Sequence, residues 1–391
     1  MDEPARGSAA GPVAGPAAGP AVPAPVRAPA VPAAEGVPAG PGGPPLATPP
    51  PQVPWPQRAA AWIRANLLGT WYHGLLTLVC LTVLVRAGRA VVEWAFTRAQ
   101  WAVVRDNLLL LLVGAYPRDQ LWRVGAALGV LVLLVLAGGL AWAGSARWRR
   151  FQLPVVAAWV VLVPAAMALV LSVPRVGGAG TGYGLVLTLV LAVAGITLSF
   201  PLGVALALGR VSSLPVVRAL SIAYIELVRG TPLMVVLFFS MTALPLFLPP
   251  AVRPDLVTRA AAGLVLFTAA YVAEAVRGGL QGVPRGQIEA AQALGLTGTQ
   301  AVFLVVLPQA LRAVIPALVG QFISLFKDTS LVAVWGLLEF VGVAQSVLSN
   351  PAYLGRHVEV YAFVAAVYWV FCYGMSLASR RLERRLGVGE R

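Results

Sequence analysis

"GLVLTLVLAVAGITLSFPLGVALAL" (184–208) runs for 25 residues without one Asp, Glu, Lys or Arg. A helix needs roughly 20 apolar residues to cross the hydrocarbon of a bilayer, where each backbone amide must find its partner inside the segment. Seven further stretches are long and predominantly apolar, though several carry a few charges: Trp71–Val92, Val124–Gly144, Leu153–Val173, Ala219–Phe239, Ala260–Leu280, Leu311–Leu338 and Val358–Leu377. The expected fold class is therefore all-α, a polytopic transmembrane helical protein of about eight spans.

Composition agrees. Of 391 residues, 59% are hydrophobic and 11% charged, and the mean hydropathy is +0.81. The formal charge of +14 comes from 28 arginines and the single lysine Lys327 against 15 acids. A basic chain invites nucleic acid as a partner. Here the arginines border apolar runs, as membrane topology demands, so the expected surroundings are membrane lipids and no nucleic acid. Cys80 and Cys372 lie inside apolar runs and read as small hydrophobes.

Residues 1–56 repeat Pro, Ala, Gly and Val and read as a disordered cytoplasmic tail, with no apolar stretch to serve as a cleavable signal. Residues 57–178 read as an N-terminal extension of three spans, closed by the helix-breaking "SVPRVGGAGTGYG" (172–184). Residues 179–391 form a five-span unit of their own. The run "FTRAQWAVVRDNLLLLLVGAYP" (96–117) is too short to cross comfortably and reads as interfacial or re-entrant.

With the N-terminus in the cytoplasm, the five-span unit places ten arginines inside and four outside, in line with the positive-inside bias, and the C-terminus is cytoplasmic as well. The arginines of the first three spans do not decide their orientation.

The polar interval 281–310 between the sixth and seventh spans carries helix formers at Ile288–Leu294, the terminator Gly295, and a second apolar run reaching Leu307-Pro308. It reads as helix, turn, helix. An exposed short helix held between two spans suits a groove on another protein, although an ordinary interfacial loop has the same composition.

Glu289-Ala290-Ala291, Gly295 and Leu307-Pro308 resemble the "EAA" loop of ABC-importer permeases. The resemblance extends to "SFPLGVALALGR" (199–210), "YIELVRGTPLMVVLFF" (224–239), "AAYVAEAVRGGLQGVPRGQIEAAQALGL" (269–296) and "LPQALRAVIPALVGQFISLFKDTSLV" (307–332), all similar to the polar amino acid permeases of that superfamily. Val305, where the family commonly has Ile, is a conservative departure. The three preceding spans and the tail resemble the larger membrane subunit of general L-amino-acid permeases.

What this resemblance implies is a permease of the bacterial inner membrane that moves polar L-amino acids by alternating access. The implied partners are a second, unlike permease subunit, two cytoplasmic ATP-binding subunits and a periplasmic substrate-binding protein. The loop above would couple it to the ATPase, and ATP, the cofactor, would bind the partner subunit.

Ionisable groups in spans are costly and face protein or water. Glu226 and Arg229 stand three apart in the fifth span, and Glu274 and Arg277 three apart in the sixth, a spacing that puts each pair on one helix face. Such pairs fix helix ends or form a gate. Lys327-Asp328-Thr329-Ser330 reads as a deeper cluster, roughly 15 residues into the seventh span. It is either a structural ion pair or part of a path offering both charge signs to a zwitterion.

A phosphate-binding loop needs a lysine after its glycines, and Lys327 follows Phe326, so this chain reads as a transport subunit and not an enzyme. His73 and His357 stand far apart and make no metal pair. An ion-gradient-driven secondary transporter of small polar solutes is the alternative. It would want acids at the bilayer midplane and a repeated half, and neither is evident.

Overall fold

The computed structural model describes residues 54–67, 69–143, 152–172 and 182–387. The expected tail up to residue 53, Arg147, Arg149 and Arg150, most of the 172–184 junction with Arg175, and Arg391 lie outside the described residues. Among those described, every regular element is helical, as the composition demands. Seven helices are long and apolar enough to cross a membrane, and an eighth crossing is available if a sharply bent helix pair counts as one span.

The chain divides after Gly88. The N-terminal unit holds α1 (Trp55–Asn66) and most of α2 (Trp71–Glu93). Thr77 Oγ1 donates to the Leu67 carbonyl at 3.0 Å, fixing the start of α2. No residue of α2 is buried.

In the second unit the run 96–117 is broken into α3 (Ala102–Asp106) and α4 (Leu108–Val113), which bury Val103, Val104 and Leu111. Gly114, at φ 60°, ends α4 in a backbone region that a side chain would strain. Two spans follow, α5 (Leu121–Ala143) and α6 (Gln152–Leu171). Then comes α7 (Gly184–Arg210), the stretch quoted first, whose N-terminal half is almost wholly buried.

The expected fifth span, Ala219–Phe239, is not one helix. It divides into α8 (Pro215–Arg229) and α9 (Leu233–Phe247), bent by 108°. Pro232 lacks an amide hydrogen and disfavours helical geometry at Thr231, so the helix ends at Arg229 despite the apolar run.

After the break come α10 (Leu256–Gly282), a short α11 (Arg285–Ala293), α12 (Gly298–Trp335), α13 (Phe340–Leu348) and α14 (His357–Leu386). The sixth and eighth spans fall where expected. The seventh begins 13 residues before Leu311, because Thr297 caps a helix that then continues unbroken.

The core is the pair α7 and α10, with α12 against both. The pair runs in the same direction, since Gly203 meets Ala269 and Val272 while Arg210, further along, meets Glu274. Small residues allow the approach. An ideal Cβ placed on Gly203 would lie 2.6 Å from Val272 Cβ and 2.9 Å from the Ala269 carbonyl oxygen. In lipid, where apolar area gives no net drive between helices, such close backbone contact is the main source of adhesion.

Candidate functional site

The loop between α10 and α12 is a rigid device. Val283 and Pro284 are extended and stop α10, and α11 begins at Arg285. At its far end the Gly295 amide donates to the Gln292 carbonyl at 2.9 Å and the Leu296 amide to Ala291 at 3.1 Å. That double closure requires a left-handed residue, and Gly295 supplies it at φ 81°. Thr297 and Gln300 then form a reciprocal capping box that starts α12.

Of the six residues expected here, Ala291 is buried and turns inward, while Glu289, Ala290 and Gly295 are exposed. Leu294, 83% exposed, extends the outer surface. Leu307 and Pro308 open the regular part of α12 after a wide turn, Val302–Val306. Pro308 removes one amide donor from the helix, a natural reason for the looser turn upstream. Gln309 Nε2 donates to Gln287 Oε1 at 3.2 Å, tying α11 directly to α12.

Of the two in-span pairs that the spacing predicted, Glu274 and Arg277 form theirs, and Glu226 and Arg229 do not. Glu226 and Arg229 make no mutual ion pair among the described residues. Instead Glu226 meets Arg210 at 2.8 Å, and Arg229 meets Glu274 at 3.7 Å. Glu274 also lies 3.6 Å from Arg210, and Arg277 Nε donates to it at 2.9 Å. Glu274 keeps its i, i+3 partner, whereas α8 crosses α7 where Arg210 lies nearer to Glu226 than Arg229 does. Five charges thus form one network across three helices. Arg210, counted in the sequence only as a topological charge, is its missed member.

Lys327 and Asp328 form no ion pair among the described residues. Lys327 is exposed, and α12 tightens into a narrower helix at Thr329, whose Oγ1 donates to the Phe326 carbonyl at 2.8 Å. Ser330 Oγ does the same to Lys327 at 2.8 Å. Both hydroxyls are engaged by the helix end. The cluster also stands near the far end of α12, about 29 residues or ~44 Å from Gly298, not midway.

A buried acid that the sequence analysis did not single out is Glu339. It lies between α12 and α13, fully buried; it accepts from Thr188 Oγ1 at 3.0 Å and from the Val341 and Gly342 amides at 2.9 Å. Burial pushes its carboxyl above the ordinary carboxylate range, opposed by those donors. The contact latches α13 to the start of α7, where the Gly184 amide donates to Leu338 at 3.1 Å. A lone acid in the apolar run 329–350 was the available signal.

Residues 199–388 match the family described as binding-protein-dependent transport system inner membrane component. The inner membrane amino-acid ABC transporter permease protein YhdY of Escherichia coli K12 is 40% identical, over 85% of this chain and 94% of its own length. The chain belongs to the amino-acid ABC transporter permeases.

BztC of Rhodobacter capsulatus, a glutamate/glutamine/aspartate/asparagine transport system permease protein, is 37% identical over 84% of this chain and 87% of its own. A solved amino acid ABC transporter with histidines is 35% identical, with TM-score 0.47, covering 52% of this chain and 92% of that one. As a member of this family, the permease is a multi-pass inner-membrane transport component of the polar amino-acid class.

Proposed function

We propose that this permease moves polar L-amino acids by alternating access, driven through residues 281–310 by ATP hydrolysis in a separate cytoplasmic subunit. The carrying observation is the build of the loop. An exposed helix, α11, is closed at Gly295 and fastened through Gln287 and Gln309 to α12, so a push on α11 reaches a span some 38 residues long. Glu289, Ala290, Ala291, Gly295, Leu307 and Pro308 are the coupling residues in this reading.

The assembly would contain a second, unlike permease, two ATP-binding subunits and a periplasmic binding protein. The names of the relatives favour acidic amino acids and their amides as cargo. In this arrangement residues 1–56 are a cytoplasmic tail, 57–178 the extension and 179–391 the permease domain, with both termini cytoplasmic. Glu226, Arg229, Glu274, Arg277 and Arg210 act as a clamp on the ends of α7, α8 and α10, and Lys327, exposed, is the cluster residue placed to meet a carboxylate.

The test is a Glu289→Arg variant co-expressed with its partners. Coupling through α11 predicts intact assembly with uptake of radiolabelled glutamate lost and ATP hydrolysis no longer stimulated by substrate. Normal stimulation by substrate would refute it.

A further inference from the structure

A cavity of about 210 Å³ lies between α4, α5, α6 and α7, and all fifteen side chains lining it are apolar. Val113 from α4 forms part of the wall, with Val124 and Leu131 from α5, Met167 from α6 and Val190 from α7. Water does not settle in such a space, since it needs two or more polar partners; apolar cavities of about 150 Å³ already stay dry and admit a small hydrocarbon. The protein sits in a bilayer, so hydrocarbon chains are the molecules at hand.

The α5 end of the cavity is different. Trp122 and Arg123 immediately precede the first lining residue of α5, Val124, and the Arg123 guanidinium lies 5.5 Å from the Trp122 ring centre. Tryptophan with arginine at a span end marks the headgroup level of the membrane. Arg123 Nη1 donates to Ser172 Oγ at 2.9 Å and more weakly to the Leu169 carbonyl at 3.3 Å. Its Nε is enclosed with no acceptor among the described residues.

A cationic donor at headgroup level, directly above a dry apolar space, has the polarity of a phospholipid. We propose that the cavity holds one acyl chain of a membrane phospholipid, with the lipid phosphate at the Arg123 guanidinium. The lipid would then fill the seam between the extension and the first helix of the permease core. This inference is independent of the coupling role of α11.

The test reconstitutes the full chain with its partner subunits in nanodiscs containing phosphatidylglycerol with a diazirine on one acyl chain, followed by photolysis and peptide mapping. Label is expected on Met167 and Leu131, saturating and competed by unlabelled phosphatidylglycerol, whereas label on Leu133, 67% exposed, rises without saturation. Ala166→Phe, which fills the cavity, is expected to lower the Met167 label about tenfold and leave Leu133 unchanged.

Arg123→Gln is expected to abolish the preference for the phosphatidylglycerol probe over a diazirine diacylglycerol. Absence of label from Met167, non-saturating label there, or equal labelling of the wild type by both probes would each overturn the proposal. The saturation experiment needs no variant, so a folding defect in either substitution leaves the decision intact.

Discussion

Gly203 carries a close approach between α7 and α10, and its missing side chain is what permits it. Gly203→Ala would drive a methyl into Val272 and the Ala269 carbonyl, at 2.6 and 2.9 Å, and one of these is backbone that cannot rotate away. The expected cost is about 1–3 kcal/mol, read as a lower melting temperature of the detergent-solubilised complex. The presence of a glycine in a span could not identify this position, because Gly278 on α10 and Gly320 on α12 meet nothing.

The charged network makes a second residue-scale prediction, one of rank. Glu274 faces three arginines and its side chain is 24% exposed, whereas Glu226 is 54% exposed with one arginine partner. Glu274→Gln removes the shared counter-charge and is expected to destabilise by about 2 kcal/mol. Glu226→Gln should cost less than about 1 kcal/mol. Denaturation of the two variants side by side checks the order. Both acids and the Glu274–Arg277 pair were visible in the sequence; the partners on other helices were not, because spacing along one helix says nothing about the neighbour that crosses it.

At the scale of elements, α11 was legible and the break between α8 and α9 was not. Gly295 and the Thr297–Gln300 box act within a few residues, so local sequence specifies them fully. The Gly230-Thr231-Pro232 signal is just as local, but the apolar run on either side satisfies the length of a span and outweighs it in a window of 20 residues. The seventh span misled for the opposite reason, since Gly298–Val306 is helical yet too mixed in its first residues to count as apolar.

The local character of the α11 closure gives an element-scale prediction. Gly295→Val places a β-branched residue at φ 81°, where a side chain costs roughly 1–2 kcal/mol and valine more. Nothing lies within 4 Å of a Cβ at that position, so the effect would come from the backbone alone. The expected outcome is a frayed end of α11, with reduced uptake and near-normal abundance in the membrane. Increased protease sensitivity confined to 285–297 would be the physical readout.

At the scale of the molecule, the extension is held to the permease core by polar contacts as well as packing. The Gln100 amide donates at 3.2 Å to Glu359, a residue only 4% exposed at the start of α14, and the Ala115 amide donates to Gly182 at 2.7 Å. In a bilayer, apolar area alone does not favour association of helices, whereas a buried acid left without a donor is expensive. The sequence shows three spans ahead of the family domain but not that Glu359 needs them, since its donor is a backbone amide 259 positions away.

This dependence predicts how a divided chain behaves. Residues 1–178 and 179–391, expressed as two polypeptides, should reassemble and co-purify, because α3 and α4 recover their places against α13 and α14. Residues 179–391 alone should accumulate poorly and melt at a lower temperature, with Glu359 deprived of the Gln100 amide. Glu359→Ala removes both the demand and its donor's acceptor. It should therefore weaken co-purification of the two halves while partly restoring the solitary 179–391 fragment, whereas a contact held by apolar packing alone would leave both measurements unchanged.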